Sequence, residues 1–252
     1  MFDDLTATKC RARDIALRYR DLAGEALLRP LIETEFRGRI ALVSSFGTEA
    51  AVLLHMVAGI DRALPVVFID SGKHFAETLH YRDALVAALG LTDVRIAAPD
   101  ARQIAERDPH GTLSHVNPEA CCFLRKVEPL AAALLGFEAW ISGRKRYQGG
   151  LRQALPTIEA ADGRIKVNPL ATWSAADIVA EFAARRLPRH PLFADGFLSI
   201  GCAPCTVRAA GGEADPRSGR WPGTAKTECG IHLGFRPNAA PSTATSTAIP
   251  AP

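Results

Sequence analysis

The chain has 252 residues, with 30 Lys and Arg against 27 Asp and Glu for a formal charge of +3, and 48% of it is hydrophobic. That is enough apolar material for one α/β core with short extensions, while the charge is too small and dispersed for nucleic acid and no apolar run reaches membrane-spanning length. The charged stretch from Met1 to Arg20 is unlike a secretory signal, so the expected location is the cytoplasm, where six cysteines read as metal-binding or catalytic rather than as disulfides.

Residues 12 to 36 carry Ile15, Leu17, Leu22, Leu27, Leu28 and Leu31 at helical spacing, with Pro30 as a break, and residues 1–38 are expected to be covering helices. A strand over 40–43 leads into the polar turn Ser44-Ser45-Phe46-Gly47-Thr48 and a helix over 49–58. A second strand, 66–69, ends at Asp70-Ser71-Gly72-Lys73-His74, with a helix over 76–89. A third strand, 94–97, is followed by a polar stretch. A helix over 119–135 carries Cys121 and Cys122 in its first turn, a strand spans 138–142, and Ser174 caps a helix over 174–186. Strands alternating with helices predict an α/β fold, a parallel sheet with helices on both faces and ligands beyond the carboxyl ends of its strands. The main unit is expected over 39–200, an arm over 201–236 without a core-forming period, and a disordered tail over 237–252 rich in Ala, Pro, Ser and Thr.

Ser44, Ser45 and Gly47 in the first turn, with Asp70 in the second, form candidate walls of one nucleotide crevice, because free amides at a strand-to-helix turn cradle phosphate. An ordinary turn and a helix cap are the competing readings. Cations come in three bursts, Arg125-Lys126, Arg144-Lys145-Arg146, and Arg217 with Arg220. Lys126, Arg144, Arg217 and Arg220 are candidates for phosphate or sulfate oxygens, which guanidinium forks suit. The pairs Cys121-Cys122 and Cys202-Ala203-Pro204-Cys205 suit four thiolates on one centre. Zinc and a [4Fe–4S] cluster both remain open: the Cys-x-x-Cys spacing leans to zinc, while adjacent cysteines are unusual for it. Cys229 stands apart in Glu228-Cys229-Gly230-Ile231-His232, with Lys226 and His232 near it, and reads as a nucleophile; Cys10 has no assigned role.

The blocks SSFGTEAAVL, DSGKHFAETLHYRD, CCFLRKVEPL, WISGRKRYQGGLRQALP, KVNPLATWS, GCAPCT, DPRSGRW and ECGIHL follow one another between about Ile40 and Leu233. In these the chain resembles the assimilatory adenylyl-sulfate reductases, the cluster-bearing branch of the phosphoadenylyl-sulfate reductase family. The resemblance implies an adenine-nucleotide α-hydrolase-like sheet and a [4Fe–4S] cluster on Cys121, Cys122, Cys202 and Cys205. It also implies Cys229 as nucleophile, and Lys126 between cluster and substrate. The implied reaction takes adenosine 5′-phosphosulfate to sulfite and AMP through an S-sulfocysteine, with thioredoxin or a glutaredoxin-like reductant. The cluster's implied role is electrostatic and structural. A 3′-phosphorylated substrate is the alternative; a zinc thiol switch and an ATP-dependent sulfur transferase are rivals from other classes. A homo-oligomer is compatible with this reading, and neither nucleic acid nor membrane is an expected partner. The first turn lacks the SGGxDS of nucleotide pyrophosphatases, residues 208–215 lack a Pro-Gly found in relatives, and Pro222 follows Trp221 where many have a second Trp.

Overall fold

Short strands made wholly of apolar residues need cover on both faces. The computed structural model describes residues 2–209 and 215–233, and in it they are so covered. The N-terminal part contains α1 (Phe2–Arg18), α2 (Gly24–Pro30) continued by a π turn over Leu31–Glu35, β1 (Ile40–Ser44), α3 (Ala50–Ile60), β2 (Val66–Ile69), α4 (Ala76–Leu89) and β3 (Val94–Ala97). There follow α5 (Ala101–Arg107), α6 (Leu113–Val116), α7 (Pro118–Cys122), a π turn over Phe123–Val127, and α8 (Glu128–Ala133). The last regular elements are β4 (Ala139–Ile141), β5 (Ile158–Ala161), β6 (Arg164–Val167) and α9 (Ala175–Ala184).

The six strands lie in the order β3-β2-β1-β4-β6-β5, all neighbours parallel except β5 with β6. Strand alternation divides the interior in two. Ile40, Leu42, Val66, Phe68, Ala139 and Ile141 enter a large core with Leu27 and Leu28 of α2, Leu54 of α3, Leu85 of α4 and Phe182 of α9. Ala41, Val43, Val67, Ile69 and Trp140 face the other way, onto Leu130 and Leu134 at α8. The chain leaves β1 toward β2 on one side and reaches β4 on the other, so the sheet reverses direction between β1 and β4. Ligand crevices of open α/β sheets lie at such a point. No helix among the described residues is long and apolar enough to cross a membrane.

Several local expectations need correction. Pro30 does not break the N-terminal helix: it keeps helical angles, and the chain runs on as a π turn in which Phe36 N bonds Leu31 O. Leu27, Leu28, Leu31 and Phe36 are fully buried in the main core, so these helices belong to it rather than merely cover it. The cysteine helix is continuous from Pro118 to Ala133 but widens over Phe123–Val127, and Asn117 caps it by accepting Ala120 N at 3.0 Å. The polar stretch after β3 contains α5, capped by Asp100, and the segment after β4 contains the β5–β6 hairpin. Its turn is Asp162-Gly163, both at positive φ, a strong hairpin signal that the reading by strand–helix alternation passed over. The tail 237–252, the end of the arm beyond 233 and residues 210–214 lie outside the described residues.

The segment leading to the arm is clamped on α4. Tyr81 donates to Pro188 O at 2.7 Å, and His190 Nε2 meets Thr78 Oγ1 at 3.0 Å while its Nδ1 accepts Leu192 N. Burial holds His190 down to about 4, so it folds neutral. Its contribution is therefore intact above the ordinary histidine value near 6.5 and is lost as pH falls from there toward 4. Unfolding free energies measured from pH 6 to 4.5 should decline by about 1.4 kcal/mol per pH unit more in the wild type than in His190→Asn. Parallel profiles would remove His190 as the cause.

Candidate active site

The carboxyl ends of β1, β2 and β4 open into a cavity of about 190 Å³. At the first turn Phe46 N donates to Ser44 Oγ at 3.1 Å, and Phe46 takes a left-handed φ of 48° with its ring fully buried, edge-on to Phe68. An aromatic anchor thus holds a strained backbone, a feature that concentrates at functional sites. The turn exposes Ser45 to the cavity, and Thr48 Oγ1 donates to Leu198 O at 2.8 Å, tying it to the segment before Cys202. Gly47 lies against Ile200 O, which a Cβ would approach to 3.4 Å.

The arm folds back over this opening. Cys202 bridges His74, Ala203 N donates to Lys73 O at 2.8 Å, and Ser71 Oγ lies 3.0 Å from Cys202 Sγ. Val207 N bonds Gly219 O and Trp221 N bonds Cys205 O, a short ladder so tight that a Cβ on Gly219 would sit 2.2 Å from the Val207 carbonyl oxygen. Buried Trp221 packs with Cys202 and Cys205, and the Arg220 guanidinium lies 4.5 Å from its ring centroid. Asp215 caps the turn that presents Arg217 and Arg220.

Ser44, Ser45, Gly47, Lys126, Arg144, Arg217, Arg220 and Cys229, drawn from distant segments, all line the cavity. Asp70 does not. Its Oδ1 accepts Gly72 N at 2.9 Å, because the turn after β2 needs that amide satisfied locally. The residue-by-residue reading missed Lys145, Arg152, Glu49, Gln148, His74, Glu228 and His232 as lining residues. Lys145 and Arg152 could have been found from their place in the cationic run after β4; nothing local marks Glu49, which owes its role to partners about a hundred residues away.

Six cationic side chains against two carboxylates line this cavity, which makes it an anion site. Most of the cations are paired. Lys145 meets Glu49 at 2.8 Å, Arg144 meets Glu159 of β5, and Arg152 grips Glu228. Burial would raise Glu228, but Arg152 and Arg217 more than offset it and hold the carboxylate ionised. Lys126 and Arg220 have no carboxylate partner among the described residues, and Nε of both Arg144 and Arg220 is buried without a hydrogen-bond partner. Lys126 is raised despite burial, by the charges of Cys229, Cys202 and Cys122. Cys229 is held well below the ordinary thiol value by a hydrogen bond from Cys122, by Lys126, by the Ile231 amide and by Arg220, against burial. Cys122 is pushed up in return, by that hydrogen bond, by burial and by the charge of Cys229.

Cys121, Cys122, Cys202 and Cys205 are all buried. Burial and the charge of Cys202 raise both Cys121, to about 11, and Cys205, so these three adjoin, whereas Cys122 bonds Cys229. Neighbours on a helix diverge by roughly 100°, which is why the vicinal pair looks to different partners. Four buried thiols, two on the cysteine helix and two on the arm, are a donor set of the kind that zinc and a [4Fe–4S] cluster both take.

Residues 39–208 match the family model of the phosphoadenosine phosphosulfate reductase domain. An adenosine 5′-phosphosulfate reductase of Mesorhizobium japonicum is 51% identical over 231 residues, 92% of this chain and 90% of that one. A phosphoadenosine 5′-phosphosulfate reductase of Gloeobacter violaceus is 40% identical over 223 residues, 86% of this chain and 92% of that one. The crystal structure of the phosphoadenylyl-sulfate reductase of Candida auris, a phosphate complex, superposes with a TM-score of 0.67 at 29% identity over 78% of this chain and 96% of that one. On sequence and on fold, the chain belongs to the phosphoadenosine phosphosulfate reductase family.

Proposed function

We propose that the protein reduces adenosine 5′-phosphosulfate to sulfite and AMP, as a step of sulfate assimilation, with Cys229 as nucleophile. The observation that carries this is one thiol, Cys229, in an anion cavity with Lys126 and Arg220, which have no carboxylate partner among the described residues. The thiolate attacks the sulfate sulfur. A bond forms between the Cys229 sulfur and that sulfur, the bond from sulfur to the bridging oxygen breaks, and AMP leaves with the electron pair on its phosphate. Lys126, Arg144, Arg217 and Arg220 offset charge moving onto the phosphate, worth most in a cavity closed from water. A dithiol protein of the thioredoxin or glutaredoxin class then attacks the Cys229 sulfur. Sulfite leaves, and the second thiol resolves the mixed disulfide, so the dithiol supplies two electrons.

Cys121, Cys122, Cys202 and Cys205 would hold a [4Fe–4S] cluster. When bound, it would take four thiolates as ligands and join the cysteine helix to the arm, with a charge close to Lys126. Lys126 itself orients toward the Cys229 side, while its neighbour Arg125 turns to Asp108 at 2.7 Å and Ser71 O at 3.1 Å. The substrate without a 3′-phosphate is favoured because the cations near the second turn are engaged. Lys73 Nζ donates to Gly111 O at 2.7 Å, and burial keeps His74 neutral. A 3′-phosphate adds close to two negative charges that would need free cations.

Cys229→Ser should bind the nucleotide and release no sulfite, and labelled substrate without reductant should leave a sulfo adduct on the wild type alone. Turnover by the variant at the wild-type rate would end the assignment. Serine at any one of Cys121, Cys122, Cys202 or Cys205 should strip iron and visible absorption, and Cys10→Ser should do neither; full iron in two of the four would require another ligand set. With one reductant, kcat/KM should be higher for adenosine 5′-phosphosulfate than for its 3′-phosphorylated form, and a ratio at or below one would reverse the substrate reading.

A further inference from the structure

Glu228 immediately precedes Cys229, and its side chain is 4% exposed. Arg152 grips it with two prongs, Nε 2.6 Å from Oε2 and Nη2 2.7 Å from Oε1. The same Oε1 accepts the backbone N–H of Cys229 at 3.0 Å. Arg217 adds a bond to Thr227 O at 2.9 Å and approaches Oε1 at 3.5 Å. The contacts continue behind Arg152: its Nη1 donates to Gln148 Oε1, Gln148 Nε2 donates to Glu49 Oε2 at 3.0 Å, and Glu49 directly follows the Ser44–Thr48 turn. One chain of hydrogen bonds therefore runs from the head of α3 to the amide of the reactive cysteine.

We propose that Arg152 and Glu228 are a positioning pair that sets the direction of the Cys229 thiolate and, through Gln148 and Glu49, ties that setting to the nucleotide turn. The proposal rests on Cys229 being the nucleophile. A buried ion pair is a poor source of net stability compared with apolar packing, but its two-pronged form fixes geometry in a way that apolar contact does not. The backbone needs this, because the cysteine is the extended residue at the head of a short 3-10 turn, Gly230–His232, with no strand or long helix of its own to define it. Gly230 brings that turn against Val127, which a Cβ would meet at 3.1 Å, so the opposite side is already closely packed.

Glu228→Gln keeps the shape and an oxygen for the Cys229 amide but removes the charge that holds both prongs. Single-turnover formation of the sulfo adduct, followed by mass spectrometry without reductant, should slow about a hundredfold, the scale of an ångström-sized misplacement. Nucleotide affinity measured by calorimetry should not weaken, because the carboxylate lost is one that offsets cations of the anion site, and general destabilisation would not produce that split. Arg152→Gln combined with Glu228→Gln should be no slower in the chemical step than the slower single variant, since the two act as one unit. A chemical step within about twofold of wild type in Glu228→Gln, or losses that multiply in the double variant, would overturn the proposal. Should Glu228→Gln fail to fold, Arg152→Lys keeps the cation without the fork and is judged by the same thresholds. If the wild type forms no adduct, the functional reading fails separately, and the iodoacetamide alkylation rate of Cys229 decides the pair: about a tenfold drop in Glu228→Gln supports it and an unchanged rate sinks it.

Discussion

The division of carboxylates among crowded cations governs this molecule. Charges of one sign gathered in a poorly solvated cavity repel, and each must find an opposite charge, a hydrogen bond or a ligand. Glu49, Glu159 and Glu228 engage Lys145, Arg144 and Arg152 from three parts of the chain, and so fix the walls. What is left over is directional. Among the described residues Lys126 and Arg220 stay without a carboxylate beside Cys229, so the residual field favours a thiolate and an incoming anion at the same place.

The same constraint explains elements with no obvious catalytic part. The β5–β6 hairpin supplies Glu159, which accepts from Arg144 and from Asn168 Nδ2 at 3.0 Å; Asn168 in turn accepts Ser142 Oγ at the end of β4. Lys166, on β6, lies 3.7 Å from Glu159 and 4.5 Å from the Trp140 ring centroid, and burial with nearby Arg144 lowers it to about 7. Reducing its charge lessens the repulsion on Arg144. The π turn after Cys122 does similar work on the other wall. It carries Arg125 and Lys126 side by side yet sends one to Asp108 and Ser71 and leaves the other near Cys229, a use of helix widening that recurs at functional sites.

The arm is where local pattern and three-dimensional packing diverge most. Residues 201–209 and 215–233 have no hydrophobic period, yet they are held by the Cys205–Trp221 and Val207–Gly219 backbone bonds, by Trp221 against the cysteines and by Arg152 on Glu228. Each contact joins residues 12 or more apart in sequence, so no window of neighbouring residues records it. The ladder tolerates no side chain at Gly219 and sets the Arg220 guanidinium over Gly201, where a Cβ would fall 2.1 Å from Nη2.

By itself the sequence determined four of the sheet's six strands, the polar turns at the ends of β1 and β2, and the candidates for the reactive thiol and for four cysteine ligands. These are local properties: unbroken apolar runs such as Val66 to Ile69 have to be buried on both faces, and Cys229 stands outside both cysteine pairs in the chain itself. Tertiary structure alone decided that Asp70 serves its own turn, that Cys122 meets Cys229, and that Glu49, Arg152 and Glu228 belong to the site. The reason is physical. A side chain's chemistry is written at its position, but whether a charge is free or neutralised depends on which partner the fold delivers, and here the partners come from 76 to 99 residues away.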